Sequence, residues 1–289
     1  MRPNFFIVGG AKCGTTNMSY YLNDHPDVFI PELMEPYYYS RFDVPKNFKR
    51  ESMITDEKTY LKLFLNATDH KAIGESSPVY LQCPHSAKEI KKDNPDSKII
   101  ISIRNPIEKA HSSYFSYKFM NLDKRSFTEK IDLFKKQFDS NEFYIFNFIE
   151  DGFFSKHIKR YQDIFSPENI KIIYFENYIK DIPGHIKLLQ DFLDLDNNFD
   201  FTEKPKNSFR VPRNKIANSL LQNKMFRDIS TKLVPTTYRD RIGEKFFVKQ
   251  STKPPLHPNE RKLLKKIFLP EYENLKELLG TYPPWSDYE

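Results

Sequence analysis

The chain has 289 residues, of which 39% are hydrophobic, 15% aromatic and 29% charged. That composition supplies a core for one α/β domain spanning 1–289, while a negative mean hydropathy and the lack of any apolar run of spanning length exclude a membrane bundle. The net charge of +6 is spread along the whole sequence, and no recognition-helix or zinc-finger signature concentrates it, so nucleic acid is not an expected partner.

Met1-Arg2-Pro3-Asn4 runs straight into Phe5-Phe6-Ile7-Val8, leaving no room for an apolar export signal, and the two cysteines, Cys13 and Cys83, lack metal-ligand spacing. The expectation is a cytoplasmic protein with neither disulfides nor a metal. Asn4–Val8 reads as a strand, and Thr15–Asn23 carries helical spacing behind a glycine pair. A second strand is expected at Lys98–Arg104, whose unbroken apolar run suits burial on both faces of a parallel sheet. Asn105 then offers an N-cap and Pro106 a first helical position, so a helix should run from there to about Phe119. An amphipathic helix at Phe153–Phe165, a third strand at Asn169–Phe175 and a helix at Gly184–Leu193 follow. The alternation predicts βαβ units: an α/β fold with a mainly parallel, P-loop-like sheet flanked by helices on both faces. Lys204–Lys253 reads as irregular structure around a site, and a last helix is expected after Pro258, to about Leu279. Repeats and low-complexity segments are absent.

Gly9-Gly10-Ala11-Lys12-Cys13-Gly14-Thr15-Thr16 stands between the first strand and the first helix. A glycine-rich turn feeding a helix N-terminus turns backbone N–H groups and the positive end of the helix dipole toward an anion, so phosphate or sulfate is the expected guest. Gly9 and Gly14 fit the triphosphate loop G-x-x-x-x-G-K-[ST], but Thr15 takes the place of its lysine and the lysine stands at position 12 instead. This weakens a kinase reading, as does the want of a metal-binding carboxylate closing the Ile99–Ile103 strand.

With its continuation through His25-Pro26-Asp27-Val28, this block resembles the sulfotransferases that use 3′-phosphoadenosine 5′-phosphosulfate (PAPS), in the branch that includes the heparan sulfate sulfotransferases and bacterial relatives. The resemblance extends over nearly the whole chain. It implies that the loop from Lys12 through Cys13, Gly14, Thr15 and Thr16 grips the 5′-phosphosulfate, with Lys12 at the bridging oxygen, where a fixed ammonium offsets charge growing on the leaving phosphate. Ile103-Arg104-Asn105-Pro106 through Ser112-Ser113-Tyr114 resembles the family's 3′-phosphate motif and implies a clamp by Arg104 and Ser112. Lys253-Pro254-Pro255-Leu256-His257-Pro258 is similar to the late cofactor loop in its lysine and its histidine-proline ending, although prolines replace the expected glycine and basic residue. The resemblance carries Lys253 over, and a similar basic stretch around Asn207–Arg213 adds Arg210.

Transfer to a hydroxyl needs a base within hydrogen-bond reach of the acceptor. Glu35, in Pro31-Glu32-Leu33-Met34-Glu35-Pro36-Tyr37-Tyr38-Tyr39, resembles the family's glutamate ahead of an aromatic cluster; Glu32 is the rival by proximity, and Tyr37 stands where the family often has histidine. Gly74-Glu75-Ser76-Ser77-Pro78-Val79-Tyr80-Leu81 resembles an acceptor-side block in which some members carry lysine in place of Ser76. Tyr37–Tyr39 and the aromatics of 143–154 are expected in the core rather than stacked on a substrate. His25 should end a helix, His111 could approach the cofactor, and His70, His85, His157 and His185 are expected at the surface. The implied activity is sulfuryl transfer without a metal to a carbohydrate, a lipid-linked glycan or another small-molecule acceptor. The alternatives are a nucleotide-dependent kinase and a non-catalytic nucleotide-binding protein of the same fold.

Overall fold

A computed structural model describes residues 1–43, 52–119, 125–137, 147–196, 199, 210–214, 217, 219–220 and 246–288. In chain order these form β1 (Phe5–Gly9), α1 (Thr15–Leu22), β2 (Val28–Phe29), α2 (Glu57–Lys62), β3 (Ala72–Ser76), α3 (Ser86–Asp93), β4 (Lys98–Ile103), α4 (Pro106–Phe119), α5 (Phe127–Gln137) and α6 (Phe154–Gln162). Then come β5 (Ile170–Tyr174), α7 (Phe175–Tyr178), α8 (Ile182–Phe192), β6 (Arg210–Pro212), β7 (Val248–Gln250) and α9 (Pro258–Leu279).

Five strands make one sheet in the order β2-β3-β1-β4-β5, every neighbouring pair parallel. The expected parallel sheet is therefore present, with two strands more than the apolar runs announced. The Lys98–Arg104 run is the fourth strand in the chain. Its register places Phe5 beside both Gly74 of β3 and Lys98 of β4, so β1 lies at the centre and all five of its residues are buried.

The period of two along each strand sorts side chains to opposite faces. Phe5, Ile7 and Ile100 pack with Met18, Tyr21 and Leu22 of α1 and with Ile186 and Leu189 of α8. Phe6, Val8, Ile99, Ile101 and Ile103 turn the other way, onto Ile90 of α3, Phe154 and Ile158 of α6, and Leu275 of α9. Each such fully buried side chain contributes about 1.5–3 kcal/mol relative to exposure, and the two layers together hold the carboxyl ends of β1, β3 and β4 in fixed relation. A third cluster, Ile107 and Tyr114 of α4 with Phe127 and Ile131 of α5 and Phe268 of α9, ties α4 to the last helix.

Local chemistry fixes the elements near the strand ends. Asn105 caps α4 as expected, its Oδ1 accepting from the Ile107 N–H at 3.0 Å. Glu176 Oε1 accepts the Asn105 N–H at 2.9 Å while its Oε2 takes the Trp285 Nε1–H at 3.0 Å. Glu271 of α9 does the same for α6, accepting from Ser155 N–H at 2.6 Å and Ser155 Oγ–H at 2.7 Å. Tyr37, Tyr38 and Tyr39 are buried, in agreement with their core assignment. His25 follows the end of α1, with Nε2 3.0 Å from the Asp196 carbonyl. His157 departs from the surface reading: it lies buried on the inner face of α6, where desolvation keeps its pKa well below the ordinary value and the ring neutral. Among the described residues no helix is long and apolar enough to cross a membrane.

Candidate functional site at the strand ends

The loop after β1 closes over the end of β4. Gly10 N–H donates to the Ser102 carbonyl at 2.5 Å, and Ser102 Oγ donates back to the Cys13 carbonyl at 2.7 Å, so one residue of β4 holds both ends of the turn. Gly14 enters α1 at φ 85°, and a Cβ there would stand 2.9 Å from the Phe175 ring; only glycine lets the turn settle this close. Cys13 points inward. Burial pushes its thiol up to about 12, so the side chain is a protonated packing group. Thr15 is also buried, whereas Thr16 is half-buried at the mouth of α1.

Lys12 sits at the tip with φ 65° and is exposed as a whole residue. Protein crowding around its ammonium lowers its pKa, the Glu35 carboxylate opposes that shift, and the Arg104 charge adds to it. Lys12, Arg104 and Glu35 are thus within electrostatic reach of one another although they come from three separate stretches of chain. Arg104 leaves the end of β4, donates from Nη1 to the Lys12 carbonyl at 3.1 Å and lies over the Phe175 ring, 4.4 Å from its centroid. Its Nε is buried with no hydrogen-bond partner among the described residues. Ser112 stands half-buried two turns into α4.

Glu35 is brought to the same edge from the β3 side. Its N–H donates to the Ser76 carbonyl at 3.2 Å, and its Oε2 accepts from the Tyr37 hydroxyl at 2.7 Å. Both residues have left-handed backbones, φ 56° at Glu35 and 58° at Tyr37, a costly geometry held by the buried tyrosines behind it. Tyr39 N–H donates to Tyr80 OH at 3.2 Å, and Tyr38 stacks on Tyr60 with ring centroids 4.2 Å apart. Tyr60 and Tyr80 both donate to Glu75 Oε2, at 2.9 and 3.0 Å, in a fully buried setting that raises the Glu75 pKa to about 7 through desolvation.

The expected parallel sheet, the loop after its central strand and the arginine at the end of the neighbouring strand are one arrangement, and it has relatives. Residues 2–253 match the Sulfotransferase domain family. The chain belongs to that family. A sulfotransferase from Alicyclobacillus acidocaldarius has the same fold with a TM-score of 0.73 and 26% identity, covering 97% of both chains. Mouse sulfotransferase SULT7A1 complexed with PAP, at 14% identity and a TM-score of 0.52 over 97% of this chain and 87% of that one, shares the fold. Human heparan sulfate glucosamine 3-O-sulfotransferase 3B1 is 25% identical over 193 residues, 67% of this chain and 46% of that protein. The membrane-associated sulfotransferase kil1 of Dictyostelium discoideum is 28% identical over 123 residues, 42% of this chain and 25% of that protein. The chain thus spans about half or less of these two curated relatives.

Within this sulfotransferase fold the residues singled out from sequence divide clearly. Lys12, Gly14, Thr16, Arg104 and Glu35 come together at the carboxyl ends of β1, β3 and β4, where ligands of open parallel sheets bind. Cys13 lies in the same loop with its side chain facing the core, so any part it takes in holding an anion falls to its backbone. Lys253 is half-buried with Nζ 3.7 Å from Glu108 Oε2, which brings the late loop to α4. The Arg210 side chain falls outside the described residues. Two further features had weak sequence signals: Phe175, the aromatic bed of Arg104, opens α7 directly after β5, and Glu108 with Arg261 forms an ion pair beside Lys253. Glu108 and Ser112 stand four residues apart on one face of α4, and that spacing was the available clue. Among the described residues no group of three or more His, Cys, Asp or Glu could hold a metal ion.

Proposed function

We propose that this chain, as one domain spanning 1–289, moves a sulfuryl group from PAPS to a hydroxyl or amine of a carbohydrate or small-molecule acceptor. The observation that carries this reading is the convergence of Lys12, Arg104 and Glu35, two cations and one carboxylate, at the ends of three adjacent strands. The donor has two anionic ends to be held apart. The glycine turn and the start of α1 suit the 5′ end, and the orphaned Arg104 Nε suits the 3′-phosphate, with Ser112 completing the clamp.

In the reaction Glu35 takes the proton of the acceptor as its oxygen or nitrogen bonds to sulfur. The bond from sulfur to the bridging oxygen breaks with its electron pair, leaving 3′-phosphoadenosine 5′-phosphate. Lys12 faces the charge that grows on that oxygen, and a fixed cation there stabilises the transition state more than the bound donor. Tyr37 holds the Glu35 carboxylate through its hydroxyl.

Calorimetric titration with 3′-phosphoadenosine 5′-phosphate, against adenosine 5′-phosphate as control, tests the donor assignment. Tight binding that depends on the 3′-phosphate is expected. Equal binding of the two nucleotides, or preferential stabilisation by ATP with Mg²⁺, would overturn it.

A further inference from the structure

Beside Arg104 the structure assembles more positive charge than the two clamp residues account for. Glu108, in the first turn of α4 and one turn before Ser112, forms an ion pair with Arg261 Nη2 through its Oε1 and lies 3.7 Å from Lys253 Nζ through its Oε2. Arg261 comes from the first turn of α9. Its Nη1 also reaches both oxygens of Asp287, at 2.7 and 2.9 Å, and Asp287 Oδ2 accepts from Asn105, the cap of α4, at 2.8 Å. The guanidinium is therefore fixed in position beside the face of α4 that carries Glu108, one turn before Ser112.

The charge count decides what this arrangement can bind. Arg104, Lys253 and Arg261 stand against Glu108, Asp287 and, across Asn105, Glu176, so three cations balance three carboxylates. Without Arg261 the carboxylates outnumber the cations, and a phosphate dianion entering between Arg104 and Ser112 meets Glu108 with one fewer cation to offset it. The groups feel one another in this way. Burial acts to raise the Glu108 pKa, but the hydrogen bond from Arg261 and the charges of Lys253 and Arg104 outweigh it and hold the group ionised.

We propose that Arg261 is the third cation of the 3′-phosphate site, supplying from α9 the positive charge that Pro254 and Pro255 cannot supply from the loop before it. This rests on the reading of Arg104 and Ser112 as the 3′-phosphate clamp. Arg261 then sets preference for the 3′-phosphorylated nucleotide, and leaves recognition of the 5′ end to the loop after β1.

The test is calorimetric titration of four proteins, the parent chain, R261M, D287N and R104A, with 3′-phosphoadenosine 5′-phosphate and with adenosine 5′-phosphate. R261M is expected to weaken binding of the bisphosphate by about tenfold or more, the loss of one charge-assisted contact, with the monophosphate unchanged within about twofold. D287N frees the end of the chain but keeps the cation, and is expected to retain the preference. A preference intact in R261M but abolished in R104A overturns this inference alone. A preference intact in R104A as well overturns the clamp reading beneath it. Equal losses in R261M and D287N for both nucleotides would reduce Arg261 to an anchor for the last residues. If R261M does not fold, R261Q, which can still hydrogen-bond Asp287, is read against the same outcomes.

Discussion

The Tyr37 hydroxyl lies 2.7 Å from Glu35 Oε2, and both residues hold left-handed backbone conformations one proline apart. The carboxylate is thereby held in part from within its own segment of chain. Tyr37→Phe removes the aiming bond and leaves the ring in its buried place. Turnover is expected to fall about tenfold with donor affinity unchanged, because one hydrogen bond of this kind to a charged group is worth about 1.5–3 kcal/mol. Glu35→Gln should fall much further. Steady-state rates with a working acceptor check both, and a Tyr37→Phe enzyme as fast as its parent would detach Tyr37 from the chemistry.

The role proposed for Lys12 predicts a pH limit for the reaction. Crowding lowers its pKa, so its ammonium is lost at a lower pH than that of a free lysine as the pH rises. Rate support from the charge is present below that pKa and vanishes above it. The alkaline limb of the kcat/KM profile is therefore expected below the ordinary lysine range. In Lys12→Arg the guanidinium stays charged throughout, and the limb should move up or disappear even though the altered geometry lowers the rate. Lys12→Ala should lose on the order of a hundredfold to a thousandfold in turnover. The same alkaline limb in Lys12→Arg would assign it to another group.

Glu75 makes stability depend on pH. Its pKa is about 7 in the folded chain against an ordinary 4.5, so the folded state holds the proton more tightly. A carboxyl raised in this way favours the fold at low pH and loses that contribution as pH climbs from the unfolded value through the folded one. The span corresponds to a change on the order of 3 kcal/mol, if nothing relaxes. Glu75→Gln still accepts from Tyr60 and Tyr80 and does not titrate. Denaturant unfolding at pH 5 and pH 8 should show a smaller decline in Glu75→Gln than in the parent, with the remainder expected from Glu271, also raised to about 7 by burial. An equal decline would place the titrating proton elsewhere.

What the sequence made legible follows from where its signals are local. The Ile99–Ile103 run could be read because a strand buried on both faces must be apolar throughout, and the cap at Asn105 because its chemistry needs only neighbouring residues. β3 was invisible as a strand for the opposite reason. Ala-Ile-Gly-Glu-Ser is buried along its whole length, yet its glutamate is made tolerable by two tyrosine hydroxyls, one from α2 and one from beyond the strand. β2 has only two residues and announces nothing. In the site, Lys12, Arg104 and Glu35 stood out within motifs, whereas Arg261 becomes significant only once α9 is seen against α4. Cys13 was read with the loop that contains it, and only the packing behind the loop separates its side chain from its neighbours' task.

The burial of Cys13 has a chemical consequence. A sulfur nucleophile next to the phosphosulfate proposed to bind here could attack it, and a thiol open to oxidants would make the loop a switch. Here the Sγ is walled in, 3.6 Å from the Ala11 carbonyl, and stays a thiol at any physiological pH. The Cys13 sulfur is therefore chemically silent, and the loop's part in the proposed chemistry rests with Lys12.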